Sequence, residues 1–496
     1  MLTRRFAPAV ALALGTAFLV IPATTPTAHA EDSLYDRVEG SARGLADLGS
    51  GEGMAGSLPN YDPQGFYASL PDTVHGHPGE IIKTQPSNFA LGLPLLDWTD
   101  SDATRVAYVS TNAKGETMPM TGTVFTSSAP WKGQGPRPLL TVAPGTQGSG
   151  DVCSPGKLTV WGVEYEAAPV AAALARGWNV ALTDLAGLGT PTQHTYMNRA
   201  DQANATLDMA RAAIALDKSS ITKDSPVATW GYSQGGGASA AAMEMAPTYA
   251  PEVNLVAGYA GGIPADLGIT AKGIDNMPLA AAMGYVMNGM LERHPEMREA
   301  LMAQMNDKGA QLLEETKDEC LTDSLLRHSF QDSRELTKNG KSISELMELE
   351  PFKSWIAEQK IGNRPPKVPV YVGHGTQDDT IPVEQSRQLA RQWCTGGTKV
   401  FYQEHDLPSV GPLVDHMAPM FTHLMPALDW LEKVVNGSEY PLSDCGSLPT
   451  GDEPTGFEGN GSTRGSLETG LETSQDGIPG SRDGLAEGSH DPHLRH

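Results

Sequence analysis

The feature that most constrains this chain is an alternation. Short, nearly unbroken apolar runs at residues 139–142, 178–182, 227–230, 255–257 and 368–372 are separated by helical patterns at 164–175, 201–216 and 235–245. Apolar runs this short suit strands buried on both faces, the environment inside a parallel sheet. Strand–helix–strand alternation predicts a doubly wound α/β fold. Upstream, residues 105–110 and 121–126 alternate in polarity around the turn material Ala113-Lys114-Gly115, which predicts an antiparallel hairpin.

One stretch breaks the alternation. Residues 264–366 carry no strand signal and read as helices, rich in methionine (Met277, Met283, Met287, Met290, Met297, Met302, Met305). Methionine at helical spacing ordinarily packs a core, yet it also suits an adaptable apolar surface. Inserted between two strands, the segment is expected to form a cap. The expected core is then 71–263 with 367–445.

The ends read differently. Arg4 and Arg5, an apolar run at 7–21 and Ala28-His29-Ala30 match a secretory signal peptide over 1–30. Pro22 and Pro26 argue against a membrane anchor, and no later stretch is long and apolar enough to span. Residues 31–70 read as an extended lead-in. Residues 446–496 are rich in Gly, Ser, Asp and Glu, and are expected to be disordered because they bury too little to offset chain entropy. His490, His493 and His496 belong to that solvated tail.

Export implies an oxidising compartment. The four cysteines, Cys153, Cys320, Cys394 and Cys445, fit no zinc spacing and allow three disulfide connectivities. Of these, Cys153–Cys320 with Cys394–Cys445 is preferred. Charge excludes some functions. Lys+Arg number 35 against 59 Asp+Glu, a net −24. Such a chain lacks the cations that nucleic-acid phosphates or anionic membranes require.

Gly231-Tyr232-Ser233-Gln234-Gly235 matches G-x-S-x-G. An apolar run precedes it and an alanine-rich helical stretch follows, the strand–turn–helix context of a nucleophile elbow. The sharp turn projects the serine above the sheet, and glycine is needed where a Cβ would strike its neighbours. Such a serine needs a base and an orienting carboxylate, in the chain order Ser, acid, His. After the run 368–372, Asp378 lies four residues before Pro382 and is the expected acid, with Asp379 the alternative. His416 sits in an expected loop between the last strand (401–404) and a helix at 420–435, and is the expected base. His405 is the runner-up, His423 reads as structural, and His374 as shaping the acid's loop. The oxyanion donors should be the backbone N–H of Gln234 and, from Pro144-Gly145-Thr146-Gln147-Gly148, that of Thr146, with Gln147 the alternative. Asp184, followed by Gly187 and Gly189, fits the turn that ends the next strand.

Together with Cys153-Ser154-Pro155, Trp393-Cys394 and Ala427-Leu428-Asp429-Trp430-Leu431, these motifs resemble the secretory lipases, typified by lipase A of the yeast Candida antarctica. The resemblance runs over residues 69–437. It implies an α/β-hydrolase fold, a triad of Ser233, Asp378 and His416, a helical lid at 264–366, and the same two bridges. The sequence departs from the family's Asp-Tyr-Glu-Gly, reading Asp184-Leu185-Ala186-Gly187, and its acidic tail is not a family feature. The expected activity is secreted hydrolysis of carboxylic esters with apolar acyl chains. The substrate would be a small-molecule or lipid ester, met in transient contact with a lipid interface, by a monomer needing no metal or cofactor. The rival readings are a serine peptidase or acyltransferase on the same fold, and a non-catalytic binding protein.

Overall fold

A computed structural model describes residues 62, 65–89, 101–216, 218, 220–438 and 443–448. The expected signal peptide, the lead-in up to residue 61 and the tail beyond residue 448 lie outside the described residues. All described residues belong to one compact unit, and residues 458–496, the second unit, lie outside them.

Among the described residues nine strands form one sheet: β1 Ile81–Ser87, β2 Ser101–Thr111, β3 Thr117–Ser127, β4 Leu139–Ala143, β5 Asn179–Thr183, β6 Val227–Tyr232, β7 Leu255–Gly261, β8 Val370–Gly375 and β9 Val400–His405. Their order is β1-β2-β3-β5-β4-β6-β7-β8-β9. From β5 to β9 all pairs are parallel, and β1, β2 and β3 are antiparallel. This is the expected doubly wound α/β architecture, with the expected hairpin at β2–β3. β4, β5, β6 and β8 are buried at every residue, which explains their unbroken apolar runs.

Helices cover both faces. One face packs against Arg199–Ala215, Gln234–Tyr249 and Val383–Thr395, through residues such as Ala210, Ala241 and Leu389. The other packs against Ala167–Ala175 and Val414–Val435, through Val170, Leu428 and Leu431. The two helices beside β6 in sequence are alanine-rich because they sit close to the sheet.

β1 went unread in the sequence. Its segment Ile-Ile-Lys-Thr-Gln-Pro-Ser is polar and contains Pro86, which only an edge strand tolerates. Part of the lead-in is also more structured than expected, since Phe66, Tyr67 and Leu70 are buried against Ala107.

Between β7 and β8 the chain is helical, as expected, from Leu267–Ile274 to Phe352–Gln359. These helices bury a cluster of their own. Met283, Met287, Met290 and Met305 lie inside it, so these methionines pack a core instead of lining an open surface. The cluster includes Tyr196, Met197 and Leu413 from the main body. Among the described residues no helix is long and apolar enough to cross a membrane.

Candidate active site

Ser233 stands between β6 and the helix Gln234–Tyr249, with φ 57° and ψ −122°. A left-handed φ is strained for a residue with a Cβ, and here the surroundings enforce it. A Cβ on Gly231 would lie 2.0 Å from the Gly235 carbonyl oxygen, and one on Gly235 would lie 2.2 Å from that of Ala143. The glycines are therefore steric necessities of the turn. The result is a partly exposed hydroxyl at the end of the sheet, above a helix N-terminus.

His416 Nε2 lies 2.9 Å from Ser233 Oγ, and His416 Nδ1 lies 2.8 Å from Asp378 Oδ2. The serine hydroxyl donates to Nε2, and Nδ1–H donates to the carboxylate. Asp378 Oδ1 accepts the N–H groups of Thr380 and Ile381 at 2.9 and 2.8 Å. Burial alone would disfavour the Asp378 charge. The opposing charge of His416 and hydrogen bonds from His374 and His416 outweigh it, and hold the carboxyl well below the usual carboxylate range. Burial likewise works against protonated His416, but the charge and hydrogen bond of Asp378, with Asp379 beyond, raise its pKa.

The alternatives are engaged elsewhere. Asp379 Oδ2 accepts the Leu413 N–H at 2.6 Å, tying the acid's loop to the segment that carries His416. His405 stacks on His423, ring centroids 3.7 Å apart, and bonds Thr422 at 2.6 Å. His423 is buried, its Nδ1–H donating to the Pro419 carbonyl at 2.8 Å. His374 is buried between Ser386 (2.7 Å) and the Ile381 carbonyl (2.9 Å), with Nε2 3.3 Å from Asp378.

One placement differs from expectation. His416 lies in the first turn of the helix Val414–Val435 and not in a loop ahead of a helix at 420. Pro419 reads as a boundary in sequence. The helix nevertheless runs through it, since proline costs only the one hydrogen bond its missing N–H would have made to Asp415, plus local strain.

The segment Gly145-Thr146-Gln147 follows β4 and is held at every residue. Gly145 N–H donates to Glu166 at 2.9 Å. The Thr146 carbonyl accepts from Tyr165 at 2.9 Å, and its hydroxyl pairs with Tyr196 at 2.7 Å. The Gln147 amide donates to Glu164 at 2.9 Å, and its carbonyl accepts the Leu321 N–H at 2.8 Å. Among the described residues no acceptor takes the Thr146 N–H. As the first residue of its helix, Gln234 has an N–H without an intrahelical acceptor. Its side-chain amide donates to His194 and Gln202, both at 3.0 Å. His194 Nδ1–H donates to Ala186 at 2.6 Å, and burial lowers its pKa to about 4, so Nε2 accepts from Gln234. Asp184 accepts Gly156 N–H and the Thr121 hydroxyl, both at 2.6 Å, and fastens the neighbouring helix to the sheet.

Sequence reading missed Glu164, Glu166, His194, Tyr196 and Tyr232 around this site. The one available signal was acids at 164 and 166 opening an otherwise apolar helical stretch. The disulfides are Cys153–Cys320 and Cys394–Cys445, as preferred. One group among the described residues, Glu315, Glu319 and His328, brings three ligand atoms within 4.8 Å. It lies in the insertion, and Glu319 already accepts from Ser324 and Arg327.

A mixed, mostly parallel sheet with a strained serine after a central strand, and an acid and a histidine after the last two, defines an α/β-hydrolase fold. The secretory lipase family model matches residues 154–441, more than half of the chain, and the chain belongs to that family. A protein of Mycobacterium tuberculosis named "probable inactive lipase" is 27% identical over 403 residues, covering 78% of this chain and 84% of that one. A secreted triacylglycerol lipase of Malassezia furfur is 27% identical over 239 residues, 47% of this chain and 48% of that one. Among solved structures, Candida antarctica lipase A in its closed state superposes with TM-score 0.65 at 20% identity, over 77% of this chain and 87% of that one. The rice cell-wall-degrading esterase LipA of Xanthomonas oryzae superposes with TM-score 0.59 at 18% identity, over 73% and 100%.

Proposed function

We propose that the protein is a secreted serine hydrolase of carboxylic esters with apolar acyl chains. The observation that carries this reading is the unbroken hydrogen-bond chain from Ser233 through His416 to Asp378 at a strained elbow. Family membership alone does not carry it, since one relative matched along most of its length is named inactive.

In this reading His416 Nε2 takes the Ser233 proton as Oγ attacks the ester carbonyl carbon. The oxyanion accepts the N–H groups of Gln234 and Thr146. His416 then gives the proton to the departing alkoxide, leaving an acyl-serine and a free alcohol. Water, deprotonated by the same imidazole, attacks the acyl carbon, releases the acid and returns the proton to Ser233. Asp378 keeps Nδ1 protonated and stabilises the imidazolium that forms in each half. No step needs a metal or cofactor.

The insertion at 264–366 serves as the lid in this proposal. Its apolar cluster includes Tyr196, which touches Thr146, and Leu413, three residues before His416. Acyl chains would lie beneath it. Extracellular location is proposed from the N-terminal pattern and supported by two disulfides.

Initial rates on p-nitrophenyl esters from acetate to palmitate, with Ser233→Ala alongside, test the reading. Hydrolysis by wild type that vanishes in the variant is expected, and the chain-length optimum separates esterase from lipase. Folded wild type that cleaves no ester and takes no fluorophosphonate label would overturn it in favour of a non-catalytic protein.

A further inference from the structure

Glu164 and Glu166 are two fully buried carboxyl groups that the reaction does not use. Both lie against the loop that follows β4. Glu164 Oε1 accepts the Gln147 amide at 2.9 Å and the Glu166 N–H at 3.0 Å. Glu166 Oε1 accepts the Gly145 N–H at 2.9 Å. Glu166 stands at the N-terminus of the helix Ala167–Ala175, and its side chain makes no capping bond. The second oxygen of each carboxyl, Glu164 Oε2 and Glu166 Oε2, is buried with no partner among the described residues.

Among the described residues no cation offsets this pair. The groups that act on it are the two acids themselves, Asp184 beyond β5, Tyr165 between them and Tyr259 on β7. Burial holds both tyrosines far above their ordinary pKa, so they stay neutral. Two anions in such a box are costly, and a proton on one removes their repulsion and lowers the cost of burial. Oε2 can carry that proton while Oε1 continues to accept from the loop.

We propose that Glu164 and Glu166 are positioning residues that hold Gly145-Thr146-Gln147 in its working geometry only while the pair retains a proton. The inference rests on the proposed oxyanion role of Thr146, which lies between the two anchored residues. Burial raises Glu164 to about 7, and burial with the Glu164 charge raises Glu166 to about 8. Loss of the last proton on the alkaline side leaves two like charges that repel. Each carboxylate that moves carries a loop bond with it.

The test is the pH profile of kcat on a soluble p-nitrophenyl ester, with Glu166→Ala, Glu166→Gln and Glu164→Gln. Wild type should lose kcat on the alkaline side. Glu166→Ala should lower kcat about tenfold or more with KM little changed, since an oxyanion contact acts in the transition state. Glutamine keeps the acceptor and cannot ionise. Glu166→Gln should therefore rescue most of the alanine loss and move the alkaline limb up by about one pH unit or more. Alanine and glutamine variants whose profiles superimpose on an active wild type would overturn the inference and leave the esterase reading intact. Amide hydrogen exchange at Gly145 reads the same event without activity. Protection should fall above about pH 8 in wild type and persist in Glu166→Gln. Equal protection in both would sink the inference even in a protein that hydrolyses nothing.

Discussion

The hydroxyl of Tyr232 donates to the backbone carbonyl of His416 at 2.7 Å, across 184 positions of sequence. The residue beside the elbow serine thus fixes the backbone of the histidine that the serine addresses. The two rings also lie 5.4 Å apart, so packing and hydrogen bonding act on the same contact. Tyr232→Phe keeps the ring and deletes the bond. It should cost about 1 kcal/mol of stability, because a buried carbonyl loses its donor. It should lower kcat about threefold to tenfold with KM unchanged, as the imidazole loses alignment. Thermal unfolding and steady-state kinetics check both. An unchanged kcat would show that the helix alone places the ring.

The pH dependence has a definite sign. In the proposed role His416 is a base only when neutral, and Asp378 favours its charged form, raising its pKa. Activity should rise with pH through an acid limb lying above the ordinary imidazole value of about 6.5. Asp378→Asn removes the charge that raises it. The limb should move to lower pH and kcat should fall by about 10⁴-fold. Residual-rate profiles of the variant read the shift, and a limb that stayed in place would exclude Asp378 as its cause.

The two disulfides should separate stability from activity. Cys394–Cys445 closes a span of 51 residues, ending beside the start of β9, away from the strand ends that carry the site. Cys153–Cys320 closes 167 residues. Beside it Leu321 N–H bonds Gln147 and Ser149 N–H bonds Glu319, at 2.8 and 2.9 Å. Paired alanine substitution at either bridge should cost about 4–5 kcal/mol in the chain-entropy model. Only loss of Cys153–Cys320 should also reduce kcat, measured below the unfolding transition.

Steric necessity at the elbow is testable with one methyl group. Gly235→Ala sets a Cβ 2.2 Å from the Ala143 carbonyl oxygen, a backbone atom in a buried strand. The backbone must shift, so a loss of about 3 kcal/mol or more is expected. Soluble yield and unfolding temperature report it. Gly446→Ala is the control, because nothing lies within 4 Å of its Cβ and its backbone is outside the left-handed region, so it should change stability little.

Much of the architecture was legible along the chain because its signals are local. An unbroken apolar run such as Leu139–Ala143 records burial on both faces of a strand. The elbow declared itself because strand, glycine-flanked serine and helix are contiguous, and its strain is imposed by immediate neighbours. β1 stayed hidden because an edge strand needs neither apolar runs nor freedom from proline. The helical setting of His416 stayed hidden because Pro419 reads as a stop, while packing against β7 and β8 keeps the helix intact.

By itself, then, the sequence determined which residue types follow which strands and in what order: a serine after β6, an acid after β8 and a histidine beyond β9. Such features depend on side-chain periodicity and turn sterics within a few residues. Only the tertiary structure decided which of neighbouring candidates meet. Asp378 rather than Asp379 faces His416, and His416 rather than His405 reaches Ser233, 183 residues away. The carboxyls of Glu164 and Glu166 come to rest beneath the loop after β4 for the same reason. Contacts between separate strands depend on sheet order and loop closure, which no local window of sequence contains.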